Sequence, residues 1–313
     1  MDRFQILFAT DGRPSSVAAA ALLERLADPS RVEVTILSLP DPRMTTPDGY
    51  VEDLLEATEQ AMTDVGLPSR SIFRDEDPAT GIEKESAGGE YGMVALGAGN
   101  HTWAGETVLG GVTSHLLRQV PLPMLIVHRR HQALQRPLRV LVGADGSPAA
   151  AIAMDTLARI TTPDRVDILL RTVSPMPEIV FSSGHGGACI SCPQVPQAFD
   201  PDTNLAPEQL EDALARMRSE GFRPEGSLGT GWPATDLMDQ AKRGQVDLVV
   251  VGSRGIGTLE RGSLGSVSAH VTRHAPAVLV AHPEAKKGLS AIHSDPPDEG
   301  LSAWPSVPLE DGM

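Results

Sequence analysis

Apolar residues along this chain fall into short continuous runs separated by longer, helix-like stretches. Residues 4–10 (FQILFAT) lead through Asp-Gly into an alanine-rich segment, and residues 138–143 (LRVLVG) lead through Ala-Asp-Gly into another. A short apolar run without polar alternation predicts a strand buried on both faces, and the alanine-rich stretch after it predicts a helix. The two segments superpose with Asp11 on Asp145, a spacing of 134 residues, and the next apolar runs, 34–39 and 168–173, keep that spacing.

Farther on the spacing grows. Gly97 and Gly110 superpose on Gly252 and Gly265 at 155 residues, as do the helix-like stretches ending at Gly66 and Gly221, so the second copy holds 21 more residues. They enter between about 176 and 205, a stretch rich in Gly, Pro and Ser that reads as a loop. Each copy continues with strand, short helix and strand (71–74 and 92–97; 223–228 and 246–252), then a glycine loop, a helix, a proline and a last apolar run, MLIVH or AVLVAH. Strands alternating with helices predict an α/β chain of two tandem doubly wound parallel-sheet domains with flavodoxin-like, Rossmann-like βαβ topology. The expected division is 1–135, 136–283 and an aperiodic acidic tail, 284–313, predicted to be disordered.

Composition agrees. A length of 313 residues suits two domains, and with 4% aromatics the core must be built from aliphatic residues. Acidic residues outnumber basic ones 41 to 26 with no basic stripe, which argues against a nucleic-acid partner. No apolar stretch is long enough for a membrane span and no export signal is evident. Two cysteines fit a reducing compartment, so a cytoplasmic location is expected.

The candidate chemistry lies in GSRGIGTLERGSLGSVSAHV, where Gly252, Gly255 and Gly265 are followed by Ser266 at the start of a helix. Glycines let backbone amides approach phosphate oxygens, and a helix start offers unpaired N–H groups and the positive end of its dipole. Ser266 and Ser268 add hydroxyl donors, and Arg254 and Arg261 are candidate phosphate contacts. Asp145 is expected on the same sheet edge, placed to accept from a base or ribose, with Ala144 and Val173 walling an apolar slot. The arrangement lacks the tight G-x-G-x-x-G of dinucleotide folds and the GK[ST] of a P-loop, so a mononucleotide is expected.

These residues resemble the universal stress protein family in its tandem form, over roughly residues 3–282. The family's nucleotide-binding members carry Gly, two residues, Gly, nine residues, Gly and Ser or Thr, which Gly252, Gly255, Gly265 and Ser266 match, with Val267 beside them. The resemblance implies ATP or a related adenine nucleotide in the second domain, with Asp145 near the base and Val173 beside it. It also implies that the last strands, around Ile126 and Val280, pair across a pseudo-twofold axis. The implied role is a stress-response or regulatory binding protein with an adenine nucleotide and an unidentified protein as partners; a homodimer stays open.

The first copy departs from the pattern. Asp11, Gly97 and Gly110 are kept, but Asn100 replaces the second glycine and Gly111 the Ser or Thr, with Thr113 standing in for Ser268. Asn tolerates left-handed backbone, so the turn can survive, and this copy is the weaker site. His115 and His270 occupy equivalent helix positions and suggest a shared structural role. No nucleophile or base arrangement is visible, so binding, with at most slow ATP hydrolysis assisted by Mg2+, is the expectation. Cys189 and Cys192 form a C-x-x-C after His185 inside the insert, which can hold part of a Zn2+ site, make a reversible disulfide, or do neither. The rival reading is an interaction or metal- and redox-sensing module that uses this insert and no nucleotide.

Overall fold

The computed structural model describes residues 3–39, 49–98, 100–103, 106–128, 137–175, 205–255 and 264–285. The first half runs β1 (Phe4–Thr10), α1 (Pro14–Leu26), β2 (Val32–Ser38), α2 (Tyr50–Asp64), β3 (Ser69–Phe73), α3 (Pro78–Gly88) and β4 (Met93–Gly97). A hairpin of β5 (Asn100–Trp103) and β6 (Glu106–Leu109) follows, then α4 (Gly111–Gln119) and β7 (Met124–Val127). The second half repeats the order without a described hairpin: β8 (Leu138–Gly143), α5 (Pro148–Ile160), β9 (Val166–Pro175), α6 (Ala206–Ser219), β10 (Glu225–Gly231), α7 (Pro233–Arg243), β11 (Leu248–Gly252), α8 (Ser266–His274) and β12 (Ala277–Ala281).

Ten strands form one sheet in the order β10-β9-β8-β11-β12-β7-β4-β1-β2-β3. All neighbours are parallel except β12 and β7, which pair antiparallel with Val278 opposite Ile126, as the resemblance implied. The runs read as doubly buried strands are so: Ile6 and Phe8 face one core with Leu22 of α1, while Leu7 and Ala9 face the other with Leu116 of α4. Helices α1, α2, α5 and α6 cover the first face, and α3, α4, α7 and α8 the second. Each fully buried Leu or Ile contributes about 1.5–3 kcal/mol, and the alternation of inward residues makes the register of every strand hard to shift.

The two halves are tied by reciprocal contacts across the pseudo-twofold. Arg31 donates to the carbonyls of Ala158 and Thr161 at the end of α5, at 2.9 and 3.2 Å. Its equivalent in the second half, Arg165, donates to the Arg25 carbonyl at the end of α1, at 3.2 Å. A cation at a helix C-terminus meets unpaired carbonyls and the negative end of the dipole. Beyond the seam strands, buried His128 places Nε2 2.8 Å from the Thr272 carbonyl of α8. Its counterpart His282, also buried, lies against the backbone of Leu117 of α4, and its enclosed Nε2 has no hydrogen-bond partner among the described residues.

Burial holds both histidines below their ordinary pKa; His274 adds to this at His128, against the bond to Thr272, and Arg254 adds to it at His282, against Glu284 and Leu117. The unfolded chain therefore binds protons first as pH falls. Stability from these neutral rings is complete above about pH 6.5, the unfolded value, and is lost progressively as the pH falls below it through the lower pKa of the folded rings. The urea midpoint is expected to be lower at about pH 5.5 than at about pH 7.5, and the H128Q/H282Q variant to lose part of that difference. An undiminished difference in the variant would place its origin elsewhere.

Candidate functional site

The carboxyl ends of β10, β9, β8 and β11 make one edge of the second half. Gly143 of β8 lies beside Arg171 of β9, and Val173 beside Gly229 of β10, so Asp145 and Val173 are level on neighbouring strands. After Asp145, Gly146 takes φ +73, a left-handed conformation that an Asp-Gly turn supplies without strain. Asp145 Oδ1 accepts the Ser147 amide at 3.0 Å, and Ser147 caps α5 by accepting the Ala150 amide at 3.1 Å. Ala144 is buried in the core, and half-buried Val173 lies at the edge.

The glycines of the loop do different work. A Cβ on Gly252 would lie 2.7 Å from the Ala150 amide nitrogen and 2.8 Å from the Ala149 methyl, so Gly252 lets the start of α5 close against β11. Gly97 does the same in the first half, against the backbone of Ser15 and Ser16 of α1. Gly255 stands over Asp145, whose Oδ2 would be 2.8 Å from an added Cβ. Among the described residues Gly265 meets only ordinary contacts, the nearest being the Ser253 carbonyl at 3.5 Å, and its φ of −62° is open to any residue. Among the described residues, packing therefore accounts for glycine at 252 and not at 265.

Gly265 is the N-cap of α8 and provides no side-chain cap. The helical ladder starts with the Ala269 amide on the Gly265 carbonyl at 2.8 Å, which leaves the amides of Ser266, Val267 and Ser268 as the orphan donors of a helix start. Ser266 is exposed and Val267 half-buried. Ser268, expected as a hydroxyl donor to phosphate, is buried and donates instead to the Gly252 carbonyl at 2.6 Å, tying loop to helix. The donors that remain are backbone amides and the Ser266 hydroxyl. Arg254 lines a cleft between the halves together with His282, Glu284 and Arg118, the last-turn cation of α4. Arg261 lies outside the described residues, as do His185, Cys189 and Cys192; among the described residues no cluster of three metal-ligating side chains occurs.

The first half is arranged differently. Asp11 is closed onto its own turn, with Oδ1 accepting from the Arg13 amide and the Ser16 hydroxyl, each at 3.0 Å, and Oδ2 3.5 Å from Arg13 Nε. Asn100, expected to keep a turn, instead opens the hairpin, paired with Leu109, and the hairpin's β6 packs on α8 of the other half. Gly110 caps α4, an added Cβ at Gly111 would meet nothing among the described residues, and Thr113 is buried. The shared role expected of His115 and His270 is absent: His115 pairs with Glu83 at 2.7 Å, whereas His270 stacks on His274 with ring centres 4.2 Å apart. Two features escaped the sequence reading, the Arg171–Asp236 ion pair at 2.7 Å and the exposed Trp232. The available signal for Trp232 was its superposition on Asp77 at the 155-residue spacing.

Comparison with known proteins bears on this geometry. The model of the universal stress protein family matches residues 3–128 and 189–282. The chain belongs to the universal stress protein family. Universal stress protein Rv2623 of Mycobacterium tuberculosis is 26% identical over 296 residues, covering 86% of this chain and 92% of its own. Universal stress protein YxiE of Bacillus subtilis is 31% identical over 140 residues, 43% of this chain and 91% of its own. A universal stress protein structure from Archaeoglobus fulgidus shares the fold, with TM-score 0.63, 20% identity and coverage of 89% of this chain and 98% of that one. Tandem universal stress proteins thus supply the template for the whole architecture.

The contrast between glycines is open to test. Gly252→Ala forces a methyl against backbone and is expected to lower unfolding free energy by about 1–3 kcal/mol, whereas Gly265→Ala, at a compatible φ, is expected to hold or raise it slightly. Urea denaturation of the two variants checks this; equal destabilisation would give Gly265 a packing role.

Proposed function

We propose that this universal stress protein binds ATP or a related adenine nucleotide in its second half, residues 136–283, and acts as a stress-response regulatory protein through its bound and free states. The observation that carries the reading is Gly265: a glycine that packing among the described residues does not explain, at the start of α8, against Ser253 and Arg254 of the loop that carries Gly255. A phosphate group fits that environment because the amides of Ser266, Val267 and Ser268 have no partner among the described residues and the positive end of the helix dipole faces the same point. A Cβ at Gly255 would lie 2.8 Å from Asp145 Oδ2, so glycine there keeps a side chain off the carboxylate that the reading assigns to a ribose or base. Where the nucleotide carries Mg2+, the ion belongs to the ligand's phosphates.

In the first half the carboxylate of Asp11 is engaged by Arg13 and Ser16 and the loop forms a hairpin, which supports one principal site per chain. Binding rather than turnover is the proposed activity. The test is equilibrium titration of the full chain with ATP. Gly265→Val, which fills the space in front of the α8 amides, is expected to weaken binding at least about tenfold, a loss of about 1.4 kcal/mol, while Gly111→Val leaves it unchanged. Equal affinity of wild type and Gly265→Val, or no binding by either, would remove the proposal.

A further inference from the structure

Helices α3 and α7 begin at superposed prolines, Pro78 and Pro233, and have the same length, eleven residues. Their N-caps differ. In the first half Asp77 accepts the amides of Ala79 and Thr80 at 3.1 and 3.2 Å, a standard cap. In the second half Trp232 takes that place, makes no capping bond, and is 65% exposed, more than any other large hydrophobic side chain described. The half that keeps the glycine loop has therefore given up a helix cap and hydrated an indole at one position. Neither change helps the fold.

The backbone that carries the indole is firmly held. Gly231, with φ +128, turns the chain through a conformation that suits glycine alone, and the Asp236 amide bonds the Trp232 carbonyl at 2.9 Å. The Asp236 carboxylate holds the Arg171 guanidinium of β9 through two bonds of 2.7 Å, while Arg171 Nη1 donates to the Leu228 carbonyl of β10 at 2.8 Å. Such a forked pair fixes direction as well as distance. Gly229 leaves room for that guanidinium, whose Nη2 would lie 2.6 Å from an added Cβ.

Trp232 follows β10 at the same edge as the candidate site, just past Gly231, which pairs with Pro175 two residues beyond Val173. With neighbouring strands about 4.8 Å apart, the row β10-β9-β8-β11 spans roughly 14 Å. Trp232 stands at one end, the amides of α8 beyond the other, and Val173 and Asp145 between them. We propose that Trp232 is the stacking wall for the base of the bound nucleotide, a base-recognition residue present in the second half only. The inference rests on the nucleotide reading above. An indole face suits any base and favours the larger surface of a purine, while the phosphates are left to the far end of the row.

Three variants of the full chain test it. Trp232→Asn supplies an uncharged cap, so its thermal midpoint is expected to match or exceed that of wild type, while ATP affinity falls roughly ten- to hundredfold. Trp232→Phe keeps an aromatic face and is expected to stay within about threefold of wild type. The chain has three tryptophans, so in W103F/W304F the emission reports on Trp232, and saturating ATP is expected to quench it. Wild-type ATP affinity in Trp232→Asn, or unchanged emission at saturation, overturns the stacking role and leaves the nucleotide site standing. Absence of ATP binding by wild type overturns both.

Discussion

Everything in this molecule hangs on the antiparallel pairing of β7 with β12. Each half is a five-stranded parallel sheet, and a parallel sheet survives only with its faces covered and its edges managed. The faces are covered by four helices each; the inner edges are managed by pairing with one another, Ala277 beside Val127 and Val280 beside Met124. Because the two strands are equivalent members of a repeat, every neighbouring contact tends to be made twice. Arg31 and Arg165 exchange helix ends, and His128 and His282 each lie against the opposite half.

Antiparallel pairing also decides where the loops can look. The strands of the two halves run in opposite senses, so the carboxyl edge of the second half lies alongside the amino edge of the first. That is why Arg118, at the end of α4, meets Arg254 in one cleft, and why the first-half hairpin packs on α8. The site of one half is framed by the framework of the other.

Most of this was legible in the chain itself wherever burial dictates the pattern. Unbroken apolar runs such as LVVV become central strands because both their faces are covered, and the shift in repeat spacing located the insert, since β9 ends at Pro175 and α6 begins at Ala206. Legibility failed where local partners compete. Asn100 was read as a turn residue by its place in a glycine pattern, yet Thr102, Trp103, Thr107 and Val108 are strand formers around Ala-Gly, and hairpin pairing prevailed. Ser268 was read as a ligand donor because of its type and position, but a hydroxyl one turn inside a helix beside a carbonyl bonds that carbonyl. Glycine spacing gave no hint that Gly252 serves packing and Gly265 does not; only the neighbours of the missing Cβ separate them.

The seam has a consequence for how such a chain could be divided. Severed between residues 128 and 137, each half would be left with one bare inner strand, β7 or β12, whose unpaired amides and carbonyls demand a partner. The partner each half would find most readily is itself, since its seam strand already pairs with a close copy of its own kind. Two second halves joined in this way would form a twofold assembly with a glycine loop at each end, whereas the covalent chain holds one such loop opposite a hairpin. Fusion, in this molecule, fixes the ratio of the two kinds of half at one to one.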